Sequence, residues 1–300
     1  MGIASQPSKL SLPHQNPGVI TVLDYLIIKF PAIKPLVWQQ RMVDGKVHWH
    51  DGSLIKPETL FRAQQRVYYY REVEREPIIP FVETVLFHDE HILVAHKPHF
   101  QALIPGGVFV NQCLQSRLRL KTGIDSLQVL HRLDRVTAGL VLFSTNPDTR
   151  HLYHQLFENR QIQKTYQAIA CVSSQQHIVD QHWQVKNRLE PSELKFRMHV
   201  VAGEANSHSV IRCLRQHGDK ALFELNPITG KTHQLRVHMQ SLGWPILNDK
   251  YYPILEEKSP DNFLKPLQLL AKQLRFVDPV TQQPRNFCNP QNLPSLKTVD

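Results

Sequence analysis

Four cysteines in 300 residues, Cys113, Cys171, Cys213 and Cys288, are too few and too widely spaced for a disulfide scaffold. No C-x-x-C pair occurs, which argues against a zinc ribbon or a dithiol redox motif. The spacing suits reduced thiols in a cytoplasmic protein. No run of about 18 apolar residues is present, so no transmembrane helix and no membrane partner are expected. The polar, proline-containing start has no apolar core of a signal peptide. Apart from Gly106-Gly107 the chain has no glycine-rich stretch, too little to cradle a nucleotide phosphate. His-Glu-x-x-His is absent and the 17 histidines are scattered. His151 and His154 lie three apart on an expected helix with no acidic or cysteine partner implied nearby, so no metal site is expected. Repeats and low-complexity runs are lacking too.

Positive charge is what the chain has in excess. Lys and Arg number 35 against 26 Asp and Glu, a formal net charge of +9. Such a balance points to a polyanionic partner, because Lys and Arg release counterions when they meet phosphates. At 41% hydrophobic residues the chain can bury a core, and its length suits one large domain or two unequal ones.

The most informative segment is His131 to Phe143, HRLDRVTAGLVLF. Asp134 stands between Arg132 and Arg135, and positive charge on either side favours the ionised form of a carboxylate. An anionic Asp is available as nucleophile or base. Read alone, the same residue is also an ordinary turn or cap acid.

Residues 1–18 hold Ser, Pro, Gln and Asn with little periodicity and read as a flexible tail. From Thr21 the spacing of Val22, Leu23, Leu26 and Ile27 predicts a helix that ends at Phe30-Pro31. A second helix is expected from Pro35 to Met42, with Leu36, Trp38 and Arg41 available to a partner surface. A strand over 45–50 turns at Asp51-Gly52, a hairpin signal, and Val67 to Arg71 reads as a further strand. Residues 19–71 thus form a small α+β module, and the charged, proline-punctuated 72–80 reads as a linker. In 81–300 strands are expected at Val85 to Ala95, Leu140 to Phe143, Thr165 to Val172, Phe196 to Val201, Ser209 to Leu214 and Ala221 to Leu225. Helices are expected at Val110 to Lys121, Thr149 to Asn159 and Thr232 to Ser241. Strands joined by short turns argue for an α+β fold with a mixed, largely antiparallel sheet.

His131-Arg132-Leu133-Asp134-Arg135, with Thr137, Gly139 and Leu140, resembles the signature of RluA-type RNA pseudouridine synthases; Ala138 stands where that family commonly has Ser. A second block, Pro227 to Tyr252, resembles the family's P-I-T-G-R-T-H-Q-L-R-V-H, G-x-P-I and D-x-x-Y elements. It carries Thr229, Gly230, Thr232, His233, Gln234, Arg236, His238, Gly243, Pro245, Ile246, Asp249 and Tyr252, with Lys231 for a common Arg and Asn248 for a common Gly. Lys164-Thr165-Tyr166 resembles the K-x-Y element, and Asp89 to Pro98 the opening strand that ends in Lys-Pro. The likeness covers roughly residues 81 to 280. The chain departs from it at His99-Phe100, where a small residue and Gly are usual, so that loop is expected to take a different path. It departs again at Leu269-Leu270-Ala271, which lacks a usual His. Two short helices followed by Gly45-Lys46-Val47 and a hairpin resemble, more weakly, a small RNA-binding module first known from a ribosomal protein.

The resemblance implies a sheet-based catalytic domain over 81–300 with a central cleft. It implies isomerisation of uridine to pseudouridine, a reaction that needs no cofactor. Asp134 is then the essential carboxylate, attacking the anomeric carbon or taking a proton from the neighbouring sugar position. Arg236 is implied to hold Asp134 ionised and oriented, and Tyr166 to stack on the uracil and pass a proton at carbon 5. Arg132, with His131, is implied to fill the space left by the extruded base. Thr232, His233 and Gln234 are expected to position Arg236 through hydrogen bonds. Lys164 and Lys231 are candidate phosphate contacts, as are Lys29, Lys34, Gln40, Arg41 and Lys46 on the module. The expected partner is RNA, ribosomal rather than transfer RNA, met by a monomer. The rival from another class is an RNA-binding protein that kept the fold and lost activity. A glycoside hydrolase is disfavoured, because no second acid shares a setting like that of Asp134.

Overall fold

A capping box starts the first helix: Asp24 N donates to Thr21 Oγ1 (3.1 Å) and Thr21 N to Asp24 Oδ2 (2.9 Å). In the computed structural model, which describes residues 2–175, 177–194 and 196–296, that helix belongs to one of two units. The smaller comprises Met1–Ile78 and Pro105–Gln112, the larger Ile79–Ile104 and Cys113–Asp300.

In the smaller unit the elements run β1 (Gly2–Ile3), β2 (Ser8–Ser11), α1 (Val22–Lys29), α2 (Pro35–Val43), β3 (Val47–Trp49), β4 (Arg66–Tyr69) and β5 (Glu72–Val73). β4 is the middle strand of an antiparallel sheet ordered β2-β4-β3, and β1 pairs with β5. Val22, Leu23 and Leu26 of α1 and Trp38 and Met42 of α2 pack with Val47, Trp49 and Val67 of the sheet. This corrects two expectations. The stretch read as a tail holds two strands, fixed by partners 55 to 71 residues away rather than by a pattern of their own. Trp38 and Arg41, read as surface residues, are buried; only Leu36 of that set is exposed. The Asp51-Gly52 turn forms, but only a single bridge, His48 to Leu54, follows it, and β3 pairs with β4.

In the larger unit the elements are β6 (Thr84–His88), β7 (Ile92–Lys97), α3 (Leu114–Thr122), β8 (Gln128–Val129), β9 (Ala138–Ser144), α4 (Arg150–Glu158) and β10 (Gln163–Cys171). There follow β11 (His182–Pro191), β12 (Met198–Val201), β13 (Ser207–His217), β14 (Lys220–Pro227), α5 (Gln234–Ser241), β15 (Leu269–Val277) and β16 (Pro284–Cys288). They build one mixed sheet in the order β12-β11-β13-β14-β10-β15-β9-β7-β6, with β16 beside β15 and β8 beside β9. Every pairing is antiparallel except that of β15 with β9.

All seven residues of β9 are buried, as its unbroken apolar run requires. Leu140 and Leu142 pack with Tyr153 and Leu156 of α4, while Val141 and Phe143 pack with Leu114 and Leu118 of α3. The strand expected over Val85 to Ala95 is two, because Asp89 Oδ1 accepts from His91 N (3.0 Å) and Ile92 N (2.9 Å) and turns the chain. The helix expected from Val110 begins at Leu114, since residues 105–112 belong to the smaller unit.

Candidate active site

Asp134 lies on the loop that enters β9, the strand that pairs in parallel with β15. Gly139 makes the join possible: its φ is +125°, and a Cβ there would overlap the backbone of Ala271. The loop is tied down from below. Lys97, fully buried, donates from Nζ to the carbonyls of Pro98 (2.9 Å), Gln101 (3.0 Å) and Arg135 (2.9 Å). Burial pushes its pKa down to about 7, against the pull of Asp134. His99, held neutral by burial with a pKa near 4, donates from Nδ1 to Val136 O at 2.8 Å.

Helix α5 brings Arg236 to the same loop. Its guanidinium grips Asp249 at two points, Nε to Oδ2 at 2.7 Å and Nη2 to Oδ1 at 2.6 Å, and reaches Asp134 Oδ2 with Nη1 at 3.5 Å. Arg236 and Asp249 are shut from solvent, whereas the Asp134 side chain is 28% exposed. Tyr251 and Tyr252 lie under the guanidinium at 5.0 and 5.2 Å. Burial opposes the charge on Arg236, but Asp249 and then Asp134 raise its pKa above the usual value.

His233 approaches the same carboxylate oxygen as Arg236, its Nε2 at 3.7 Å from Asp134 Oδ2. Met198 N donates to the Tyr252 hydroxyl (2.8 Å), which leaves that hydroxyl's proton for His233 Nδ1 at 3.0 Å. His233 Nε2 then carries the ring hydrogen, and burial lowers its pKa despite Asp134. The residue adopts φ +53°, a left-handed conformation at the start of α5.

These groups open on a cleft of about 640 Å³ lined by His131 to Asp134, Lys164, Tyr166, the turn at 227–233 and Arg236. Tyr166 stands on β10, where the register against β15 shifts between Thr165 and Tyr166. Burial, and then the charge of Asp134, raise its pKa, so the phenol keeps its proton at neutral pH. Arg132 is exposed on the cleft wall. His131 is bonded inward: Nε2 accepts from Leu142 N (3.1 Å), Nδ1 faces Arg132 O (3.3 Å), and the ring stacks on Phe157 at 4.9 Å. Lys164 is half-buried, its pKa lowered by burial, and Lys231 is exposed.

The cleft therefore gathers Asp134, Tyr166, Arg236, Arg132, His131, Lys164 and Lys231. Three expectations change. The sequence neighbours of Asp134 are not what faces it, because Arg135 turns away to a two-point pair with Asp261 (2.6 and 2.8 Å). Gln234 does not position Arg236. Its Oε1 accepts from Thr229 Oγ1 (2.7 Å) and Lys231 N (3.1 Å), and its Nε2 donates to His208 O and Ser209 Oγ (both 2.9 Å), which shapes the 229–231 turn. Asp249 does the positioning, although the sequence reading gave it no role. In the smaller unit Lys29 and Lys34 are exposed. Arg41 is buried against Glu72 (3.0 Å) and Trp38, and Lys46 pairs with both Glu72 (2.6 Å) and Asp44 (2.8 Å), which gives both internal work. Among the described residues no helix is long and apolar enough to cross a membrane.

Residues 91–241 match the family model described as RNA pseudouridylate synthase. The ribosomal large subunit pseudouridine synthase C of Pasteurella multocida is 28% identical over 311 residues, spanning 99% of this chain and 94% of its own. The dual-specificity RNA pseudouridine synthase RluA of the same organism is 30% identical over 232 residues, 71% of this chain and 95% of its own. Among solved structures, human RNA pseudouridylate synthase domain containing 1 superposes with a TM-score of 0.58 over 72% of this chain and 86% of that one; at 21% identity it speaks for the fold alone. The chain belongs to the RNA pseudouridylate synthase family, in its RluA-type branch, and is an isomerase that converts uridine to pseudouridine in RNA.

Proposed function

We propose that the chain modifies ribosomal RNA in the cytoplasm as a monomer, with Asp134 as its essential carboxylate. The observation that carries the catalytic part is the setting of Asp134: a partly exposed carboxylate whose Oδ2 faces both the buried Arg236 and His233 Nε2, on the wall of a basic cleft. Contacts of 3.5 and 3.7 Å stabilise negative charge while leaving the oxygens accessible to a sugar. Whether Asp134 attacks the anomeric carbon or takes the neighbouring proton, it must begin as the anion. Tyr166 stacks on the extruded uracil, and its neutral hydroxyl is the polar group available to the ring. Arg132 enters the vacated space in the RNA, Lys164 and Lys231 meet phosphates, and Lys29 and Lys34 anchor the RNA from the smaller unit.

A ribosomal target is favoured because the relative that matches nearly the whole chain, the smaller unit included, is named for the large ribosomal subunit. Transfer RNA is the other target of this chemistry. Mapping pseudouridine in total RNA from a deletion strain and its parent decides between them: sites lost from ribosomal RNA support the reading, and losses confined to transfer RNA overturn it. Asp134→Asn removes the anion at nearly constant size. We expect unchanged RNA affinity and at least about a thousand-fold loss of product, the scale on which loss of an activated catalytic group reads. Normal turnover in that variant would reject the mechanism.

A further inference from the structure

The outward face of the β2-β4-β3 sheet is unusual for a face turned to water. Inward positions Val47, Trp49, Val67 and Tyr69 join the core with α1 and α2. Outward positions on an exposed antiparallel sheet are normally polar. Here they carry a row of four rings. Tyr68 stacks on His48 (5.5 Å between centroids, planes 11° apart) and on His50 (5.7 Å, 27°), and His48 touches Tyr70 (6.1 Å, 40°). The cross-strand register produces the row: His48 lies directly opposite Tyr68, and Lys9 lies opposite Tyr68 on the other side. His50 Nδ1 meets the Tyr68 hydroxyl at 3.0 Å and fixes the tilt. Lys9, Arg66 and His50 are exposed, and the three other rings are half-buried. No outward position of the three strands holds a carboxylate.

We propose that this row is a stacking platform for unpaired RNA bases, with Lys9 and Arg66 beside it to meet the phosphates. The inference rests on the reading of the chain as an RNA enzyme and deepens it by naming a second contact surface, on the side of the sheet opposite α1 and α2. Two features choose single-stranded RNA over a protein partner. His48 and Tyr68 lie 11° from parallel and Tyr68 and His50 27°, so a base continues the column over the exposed His50 at one end, and every base has a face to offer. The cations stand beside Tyr68, Lys9 opposite it on β2 and Arg66 two residues before it on β4, where a backbone threading past stacked bases carries its charge. Cross-strand ring pairs also stabilise a sheet, but that role does not require neighbouring cations or an open terminal ring.

The test uses the full chain and two probes, a single-stranded 12-nucleotide oligoadenylate and its duplex with oligouridylate. His48→Thr/Tyr68→Thr keeps β-propensity and removes two rings. We expect it to bind the single strand about 5- to 150-fold more weakly, the range for losing a stacked base, with duplex binding unchanged. Tyr68→Phe keeps the ring and retains the affinity. Crosslinking the unaltered chain to a 4-thiouridine-substituted 12-mer needs no variant to fold, and should give adducts on Tyr68 or His50. Unchanged single-strand affinity in a folded double variant, or adducts that avoid the row altogether, would overturn the platform. Asp134→Asn, assayed alongside, tests the synthase reading separately: full turnover there rejects that reading and leaves the binding result standing.

Discussion

Arg236 is the residue on which the site's geometry turns. Buried and charged, it is tolerable only because Asp249 takes two of its N–H groups and the rings of Tyr251 and Tyr252 cover it. Asp249 is itself fixed, since Oδ1 accepts from the backbone N of Tyr251 (2.9 Å) and Tyr252 (3.2 Å). The third nitrogen is thereby left for Asp134, at a distance that orients without closing a tight pair. Asp249→Ala strands a buried guanidinium, and unfolding by urea should register a loss of about 3–5 kcal/mol. Freed from Asp249, Arg236 closes on Asp134 and takes up the oxygens the sugar needs, so kcat falls as well. The double change Arg236→Met/Asp249→Leu should regain most of the stability and none of the activity. A double variant that is both stable and active would show the pair to be a packing device only.

At the scale of elements, the loop before β9 is held by segments far away in sequence. Phe100 adopts φ +64°, the conformation that glycine takes freely, at the position where the resembling family commonly has one. The loop so far follows a glycine-like turn with a large side chain on it. The ring is 4% exposed and packs on Phe263 (5.3 Å) and Phe81 (6.3 Å). Next to it, Arg135 Nη1 donates to Phe100 O (3.2 Å) while the guanidinium holds Asp261. The segment around 261–263 thus braces the turn that carries Asp134. Phe100→Gly relieves the backbone, worth about 1 kcal/mol, but gives up ring burial worth about 3–5 kcal/mol, so a net loss of about 2–4 kcal/mol is expected in thermal unfolding. A more stable variant would mean the ring contributes little. What the sequence displayed and what it hid divide along the same line. Asp134, Tyr166 and Arg236 could be singled out because each sits in a block that resembles the family's motifs, and the fold brings all three to one cleft. Asp249, Lys97 and Asp261 were not, because a partner 13, 38 or 126 residues away becomes a partner only when the chain folds. The same holds for Arg41, whose charge reads as surface until Glu72 and Trp38 close over it. It holds also for the two-residue β1 and for β2 and β11, largely polar strands whose identity comes from the strand beside them.

For the whole molecule, the neutral histidines set how stability responds to acid. His96, His99, His131 and His238 each have a pKa pushed from 6.5 down to about 4, in every case mainly by burial. Two of them accept hydrogen bonds at a ring nitrogen, His96 Nδ1 from Asn289 Nδ2 (2.9 Å) and His131 Nε2 from Leu142 N (3.1 Å), and protonation there breaks the bond. His238 Nε2 meets Asn187 Oδ1 and Ser207 Oγ, both at 3.0 Å, tying α5 to β11 and β13. As the pH falls through 6.5 the unfolded chain takes up these protons while the folded chain does not, until about pH 4. The stability tied to the four groups is therefore fully present above pH 6.5 and is lost between there and pH 4. Near pH 5.3 unfolding should take up about three to four protons from these groups, and urea midpoints should drop steeply across that interval. His131→Gln and His238→Gln should each flatten the slope by about one proton, whatever they do to stability at pH 7.5. Midpoints that stay level from pH 7 to 4.5, or slopes that the substitutions leave unchanged, would mean that these rings already carry charge inside the folded protein.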